Sequence, residues 1–169
     1  MSSEDFTDWI GRSEQHSDII RPAHARLLQA TLDQEPSLKD DDPLPPLWHF
    51  IYFLEGKPRS ELGPDGHPAK GGFLPPILLP RRMWAGGRVT FNAPILFGET
   101  ITKTSTITNV SEKEGRSGKL CFVTVRHDLA GEDGDVRLSE EQDIVYREAA
   151  ARDAPAPKPV EPPADADER

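Results

Sequence analysis

The strongest constraint on the fold lies in the second half of the chain. There, apolar and β-branched residues repeat with a period of two and are broken by glycine-containing turns. Between Thr100 and Val110 the sequence TITKTSTITNV is almost entirely Thr, Ile and Val, which suit a pleated surface. From Leu120 to Leu129, Cys121, Val123, Val125 and Leu129 share one parity, and from Val136 to Tyr146 so do Val136, Leu138, Ile144 and Tyr146. Val89 to Phe97 alternates in the same way, with Pro94 restricting its end to an edge or a bulge. Gly98-Glu99, the polar hairpin EKEGRSGK and Gly131 to Gly134 read as turns. The pattern predicts four antiparallel strands joined as a meander.

The first half carries less regular signals. Pro22 to Asp33 reads as a helix, because proline suits the first helical position. Ala23, Leu27 and Ala30 or Thr31 would form its apolar face, widened by Leu28 and Leu32. Arg21 before it is a poor cap. Residues 36–46 are acidic and proline-rich and read as a loop. PPLWHFIYFLE, residues 45–55, is the most apolar stretch, and its periodicity does not separate strand from helix. Residues 56–82 form a long irregular segment, a length often tied to function. With a strand or arm before the helix, the expected class is α+β, a sheet wrapped on a helix.

Charge and composition then exclude several functions. The net charge of −9 over 169 residues argues against nucleic-acid binding, which needs a basic face, and against an anionic membrane surface. No apolar run approaches the ~18 residues of a bilayer span. A single cysteine rules out an internal disulfide framework and a cysteine-based zinc site. With no basic-then-apolar leader at the start, the cytoplasm is the expected compartment. Five of the 17 prolines fall between Ala154 and the end, in APAPKPVEPPADADER. Such a segment lacks the apolar surface to offset its ordering. The expected organisation is therefore one globular domain over residues 1–150 and a disordered tail over 151–169.

Chemistry-bearing residues are sparse. The histidines, 16, 24, 49, 67 and 127, include no HExxH spacing, and no metal site is expected. His49, between Trp48 and Phe50, reads either as a hydrogen-bonded core residue or as a base. Cys121 and His127 share a strand parity but lie roughly 20 Å apart along it, too far to form a nucleophile–base pair. GRSGK at 115–119 lacks the spacing of a phosphate loop and reads as a hairpin tip. Arg81 and Arg82 are adjacent cations in an acidic chain, followed by Met83 and Trp84. They read either as a seat for an anionic ligand head, with Trp84 stacking beside it, or as partners of surface carboxylates such as Asp40 to Asp42.

Several segments taken together carry a family likeness. WIGRSE, PPLWHFIYFL, SELGPDGHPAKGGFLPP, LPRRMWAGGRVTF, PILFGETIT, EKEGRSGKLCFVTVRH and EEQDIVYRE resemble the N-terminal half of the mesaconyl-CoA hydratase family, within the hydroxyacyl-thioester dehydratase type 2 group of MaoC-like dehydratases. The likeness spans roughly residues 8–149. It implies a single hot-dog fold, an antiparallel sheet wrapped around a central helix. It implies reversible hydration of an enoyl-CoA, or of the equivalent acyl-carrier thioester, with no cofactor. It also places the catalytic histidine in a second hot-dog that carries a YSAxTxNxHxIHYD segment, which this chain lacks. The chain is thus expected to be the non-catalytic half, paired with a catalytic hot-dog subunit or a second copy of itself. Trp48, His49, Arg81, Arg82 and Trp84 are its candidate substrate-binding residues. A self-sufficient homodimeric hydratase or thioesterase, and a non-enzymatic acyl-CoA binding module, are the alternatives.

Overall fold

A computed structural model describes residues 6–115 and 118–149. The expectations for the Arg116-Ser117 hairpin tip and for the tail beyond residue 150 lie outside the described residues. Five strands form one antiparallel sheet: β1 Ser13–Ile19, β2 Arg81–Phe91, β3 Thr100–Gly115, β4 Gly118–Ala130 and β5 Val136–Arg147. Their spatial order is β1-β3-β4-β5-β2. β3, β4 and β5 form the expected meander. β2 departs from it: although β3 follows it in sequence, it pairs with β5 at the far edge. Ser13–Ile19 forms the opposite edge.

Period-two burial places Cys121, Val123, Val125, Leu129, Leu138 and Tyr146 on the buried face, as the alternation predicts. On the other face of the β1–β3 pair, hydroxyls and an amide meet across the strands. Ser13 Oγ lies 3.1 Å from Thr106 Oγ1, Gln15 Nε2 donates to Thr104 Oγ1 at 3.1 Å, and Ser17 Oγ lies 2.8 Å from Thr102 Oγ1. These polar pairs explain why so many threonines occupy a strand that is apolar only on alternate residues.

Two elements differ from the sequence reading. The strand expected over Val89–Phe97 lies earlier, at Arg81–Phe91. Asn92 and Ala93 both turn their N–H groups onto the Arg137 carbonyl, and Pro94, with no N–H to give, ends the pairing. Ile95 and Phe97 then turn inward and are buried. The early part of β2 escaped detection because a bulge between Trp84 and Gly86 breaks its alternation. Gly87 lies beneath the Trp84 indole, and a Cβ there would meet Trp84 Cζ2 at 3.2 Å.

The helix α1, Pro22–Thr31, begins at its proline as expected. Its buried residues are Pro22, Ala25 and Gln29, not the leucine face. Leu27 is 69% exposed and Leu32 52%. Small Ala25 lets the helix approach Ile20, Ile101 and Leu129 closely, while Gln29 Oε1 accepts the backbone N–H groups of Ser37 and Leu38. α1 covers only one of two apolar clusters. The second, built on Ile107, Cys121, Val123, Val125 and Tyr146, is covered by Phe6, Ile77 and the Phe73–Leu79 segment. None of the described helices is long and apolar enough to cross a membrane.

Candidate functional site

A row of polar side chains separates the two apolar clusters. Across the sheet, Glu14 of β1 faces Ser105 of β3, Ser105 faces His127 of β4, and His127 faces Glu140 of β5. Ser105 and Glu140 are buried. A polar group in such a position is costly unless paired, and each of these is paired. His127 Nδ1 lies 2.8 Å from Ser105 Oγ. Glu140 Oε1 accepts from Gln142 Nε2 at 2.8 Å, and Glu140 Oε2 lies 3.1 Å from His49 Nε2.

His49 arrives from the covering layer. The apolar stretch 45–55 is neither strand nor long helix: it makes one 3-10 turn, Trp48–Ile51. Leu47 and Phe53, which bracket it, have φ values of 69° and 57°. Side-chain-bearing residues adopt that left-handed region only when their surroundings force it. Here the fixed points are Tyr52, whose hydroxyl donates to the Arg21 carbonyl at 2.7 Å, and the Phe53 N–H, which donates to Asp18 Oδ2 at 3.1 Å. The turn thereby presses His49, 5% exposed, onto Glu140, 4% exposed.

The electrostatics follow from burial and pairing. For Glu140, burial raises the carboxyl pKa, but hydrogen bonds from His49 and Gln142 outweigh it and hold the group below its ordinary value. Burial, with Lys103 nearby, lowers His127. Lys103 is itself lowered by burial against the opposing pull of Glu55, Glu14 and Glu140. Cys121 is pushed up to about 11 by burial and by Glu112, so its thiol is unreactive.

Two cavities flank the Glu140 row. The first, of about 600 Å³, is walled by Pro43, Leu47, Phe91, Pro94, Ile95 and Leu138, with His49 on its lining. The second, of about 530 Å³, is lined by Phe50, His67, Arg82, Met83, Trp84 and Gln142 among others. Glu140 thus stands between them, holding His49 toward one and Gln142 toward the other.

The five sequence candidates do not converge on one site. His49 belongs to the first cavity, and Arg82 and Trp84 to the second. Trp48 packs against the first apolar cluster. Arg81 and Arg82 alternate on their strand and point to opposite faces. Arg82 Nε and Nη2 both lie 3.1 Å from Asp65 Oδ2, a carboxylate from the long irregular segment and not from Asp40 to Asp42. Asp65 is held below its ordinary value: burial opposes ionisation, but the His67 backbone N–H and Arg82 outweigh it.

Glu140 and Gln142 were missed by sequence reasoning, and His127 was weighed only as a partner for Cys121, yet a signal existed. Glu140 and Gln142 share parity with Leu138 and Tyr146, and His127 with Cys121 and Leu129. A polar residue on a buried parity announces a buried network. Elsewhere, Glu14, His16 and Glu55 bring their ligand-type atoms within 4.8 Å of one another. Lys57 lies 3.5 Å from Glu55, and Lys103 faces His16 across the strands. The cluster is therefore an ion-pair group with its own cations.

Comparison with known proteins agrees with this architecture. The chain is 49% identical over 164 residues to the mesaconyl-C(4)-CoA hydratase of Chloroflexus aurantiacus, a match covering 96% of this chain and 58% of that protein. It thus spans less than two thirds of that relative's length. Two solved structures from Mycobacterium tuberculosis share the fold. The ChsH1–ChsH2 complex matches with a TM-score of 0.59 at 12% identity, over 87% of this chain and 90% of that one. The C-terminally truncated HadBC (3R-hydroxyacyl-ACP dehydratase) complex matches with a TM-score of 0.55 at 13% identity, over 82% and 98%. Such low identities speak for the hot-dog fold alone. The family model for hydroxyacyl-thioester dehydratase type 2 matches residues 47–169. That stretch includes the His49 turn, the second cavity, most of the first and the polar row from Ser105 to Glu140, and the chain belongs to the hydroxyacyl-thioester dehydratase type 2 family.

Proposed function

We propose that this chain is the acyl-enclosing half of a hydratase that interconverts enoyl and 3-hydroxyacyl thioesters, and that a second hot-dog supplies the catalytic histidine. The observation that carries the reading is the first cavity: its walls are almost wholly apolar, and it is large enough for a short acyl chain. The second cavity, with Arg82 and Trp84, suits the charged and aromatic-stacking end of a CoA ester; Arg81, on the other face, would act from outside that cavity. Hydration needs a base that reaches water and a donor for the thioester carbonyl. On this chain the one buried histidine–carboxylate pair among the described residues has its Nε2 taken up by Glu140.

Support for a second hot-dog comes from the bare apolar groups. β2 is an 11-residue edge strand with exposed Met83, Trp84 and Phe91. An edge of this kind invites strand pairing. β1, by contrast, is seven residues long and polar. The two M. tuberculosis fold neighbours are, by name, complexes. The partner is a catalytic hot-dog subunit or a second copy of this chain, and a cytoplasmic setting suits both.

The test is loss of enoyl-CoA absorbance with the purified chain, alone and with a catalytic hot-dog partner. The expected result is binding without turnover by the chain alone, and turnover in the complex. A second reading is favoured by the His49–Glu140 pair, since a histidine oriented by a carboxylate is a common general-base arrangement. Turnover by the chain alone, abolished by His49→Gln, would establish that reading in place of the first.

A further inference from the structure

The outer face of the sheet, away from the cavities, is matched charge for charge along most of its length. Arg88 meets Glu141 and Asp143, Arg126 meets Asp128, and Arg137 meets Asp133. One end departs from this. Arg81, Arg147, Leu120 and Lys113 stand in one row across β2, β5, β4 and β3. Alternation puts all four on the outer parity, because buried Tyr146 and Cys121 hold the inner one. Arginines directly opposite each other repel. Neither Arg81 nor Arg147 has a carboxylate partner among the described residues, and Arg147 Nε is buried with no acceptor. The Lys113 ammonium rests over the Phe122 ring, 5.1 Å from its centre. The neighbouring acids Glu112, Glu114 and Glu148 fall on the other parity. Behind the row stand Val145 and Phe122. Three cations thus surround an apolar floor, in a chain whose net charge is −9.

Such a patch fits an extended acidic segment that carries one aliphatic side chain. The chain holds one close by. β5 ends at Arg147, and residues 160–168, VEPPADADE, follow with four acids, no base and one valine. The link from Ala149 reaches up to roughly 35 Å when extended, against roughly 15 Å across the four strands of the row. Tethering keeps the segment at about millimolar effective concentration. A segment too polar to build a core is still held by charge, and Pro162 and Pro163 restrict it beforehand. We propose that residues 160–168 dock on this patch, their carboxylates meeting Arg81, Arg147 and Lys113, and Val160 lying on Leu120, Phe122 and Val145. The docked segment screens a surface that would otherwise attract acidic segments of other proteins.

The experiment is carbodiimide cross-linking of the full chain, which joins a carboxylate to an amine as an amide with loss of water. Mass spectrometry should find Lys113 linked to Glu161, Asp165, Asp167 or Glu168, and about 0.5 M salt should reduce that link roughly fivefold. An equal mixture of isotope-labelled and unlabelled chain identifies the source. Links confined to one isotope support docking within the chain. Mixed links at the statistical level show a second copy and overturn it, and so does the absence of any link from Lys113 to the segment. A second measurement uses a fluorescent VEPPADADE peptide and the full chain carrying Glu161→Gln, Asp165→Asn, Asp167→Asn and Glu168→Gln. The peptide should bind this variant roughly tenfold more tightly than wild type, because its tethered competitor is gone. Adding Arg81→Gln and Arg147→Gln should remove that gain, and a gain that survives them overturns the proposal. Equal affinity for wild type and the tail variant overturns it as well, and marks the patch as open to acidic segments of another protein. The tail substitutions lie outside the described fold, and the cross-link needs no variant.

Discussion

The two cavities on either side of Glu140 have similar volumes and opposite construction. The first is walled by prolines and by core residues such as Ile95 and Leu138, which the sheet and the inward-turning 92–97 segment hold in place. The second is walled by long side chains of an edge strand. Met83 and Trp84 are exposed there, with Trp84 at 69%, and Arg82 is steadied by a loop carboxylate. A cavity of the first kind is shaped before a ligand arrives and would select by fit. One of the second kind can adapt around a ligand and, on the proposed reading, would select by charge. One carboxylate braces both, so the contrast can be broken from the middle or from either side.

The largest expected effect comes from the middle. Glu140→Ala leaves the His49 ring and the Gln142 amide without their acceptor. Breaking a buried pair from one side typically costs about 3–5 kcal/mol, and urea unfolding should show a loss of that order. A loss below about 1 kcal/mol would mean that the two cavities are not braced in common.

Next is the asymmetry of the walls. Leu138→Ala removes a buried side chain from the first cavity and should cost about 2–5 kcal/mol. Met83→Ala in the second should stay within about 1 kcal/mol, because much of that side chain is already in water. Equal losses would erase the distinction between a rigid and an adaptable cavity.

The charge selection proposed for the second cavity is tested through affinity. Replacing Arg81 and Arg82 together by Ala should weaken CoA-ester binding in the assembled enzyme by about 1–3 kcal/mol, and by less for a pantetheine thioester. Single variants sharpen this. Arg82 lines the cavity and should carry most of the effect, whereas Arg81 lies on the other face. Equal losses for both thioesters would return the pair to a structural role.

The smallest effect is in pH. The folded state holds the His127 pKa below its ordinary value through burial and Lys103, so the folded protein binds fewer protons there than the unfolded chain. The stability this contributes is therefore complete above about pH 6.5 and falls as the solution is acidified below it. Glu140, also lowered, adds a second loss below about pH 4.3. His127→Gln, which keeps a group able to reach Ser105, should remove the first loss and leave the second. Chemical denaturation as a function of pH measures both, and a wild-type curve that is flat between pH 7 and 5 would contradict the burial argument.

Alternation made the meander legible, because residues such as Val123 and Leu129 cannot change parity without facing water. The family was legible from extended motifs, and the hot-dog fold followed. The position of β2 was not legible: a bulge at Trp84 hides its period, and nothing local says that it pairs with β5 across the sheet. The helix face was misjudged because amphipathicity counts leucines, whereas close approach to the sheet favoured Ala25. At the site, His49 stood out by its apolar neighbours, but its partner is 91 residues away. Only the pleat connects the two, and it does so through a glutamate on a parity otherwise given to leucine and tyrosine.

The strand order has a further consequence for how the molecule is assembled in time. β3, β4 and β5 close through hairpins of short sequence separation, so they can zip together early. Both outer strands are made before them and must wait: β1 for β3, and β2 for β5, its partner some 50 residues later. On a ribosome, the whole first half of the chain would leave the exit tunnel before any surface existed to receive it. The acidic and proline-rich makeup of residues 36–46 then has a role in the unfolded state as well as the folded one. It keeps a stretch that contains the apolar WHFIYFL segment solvated until the meander is ready.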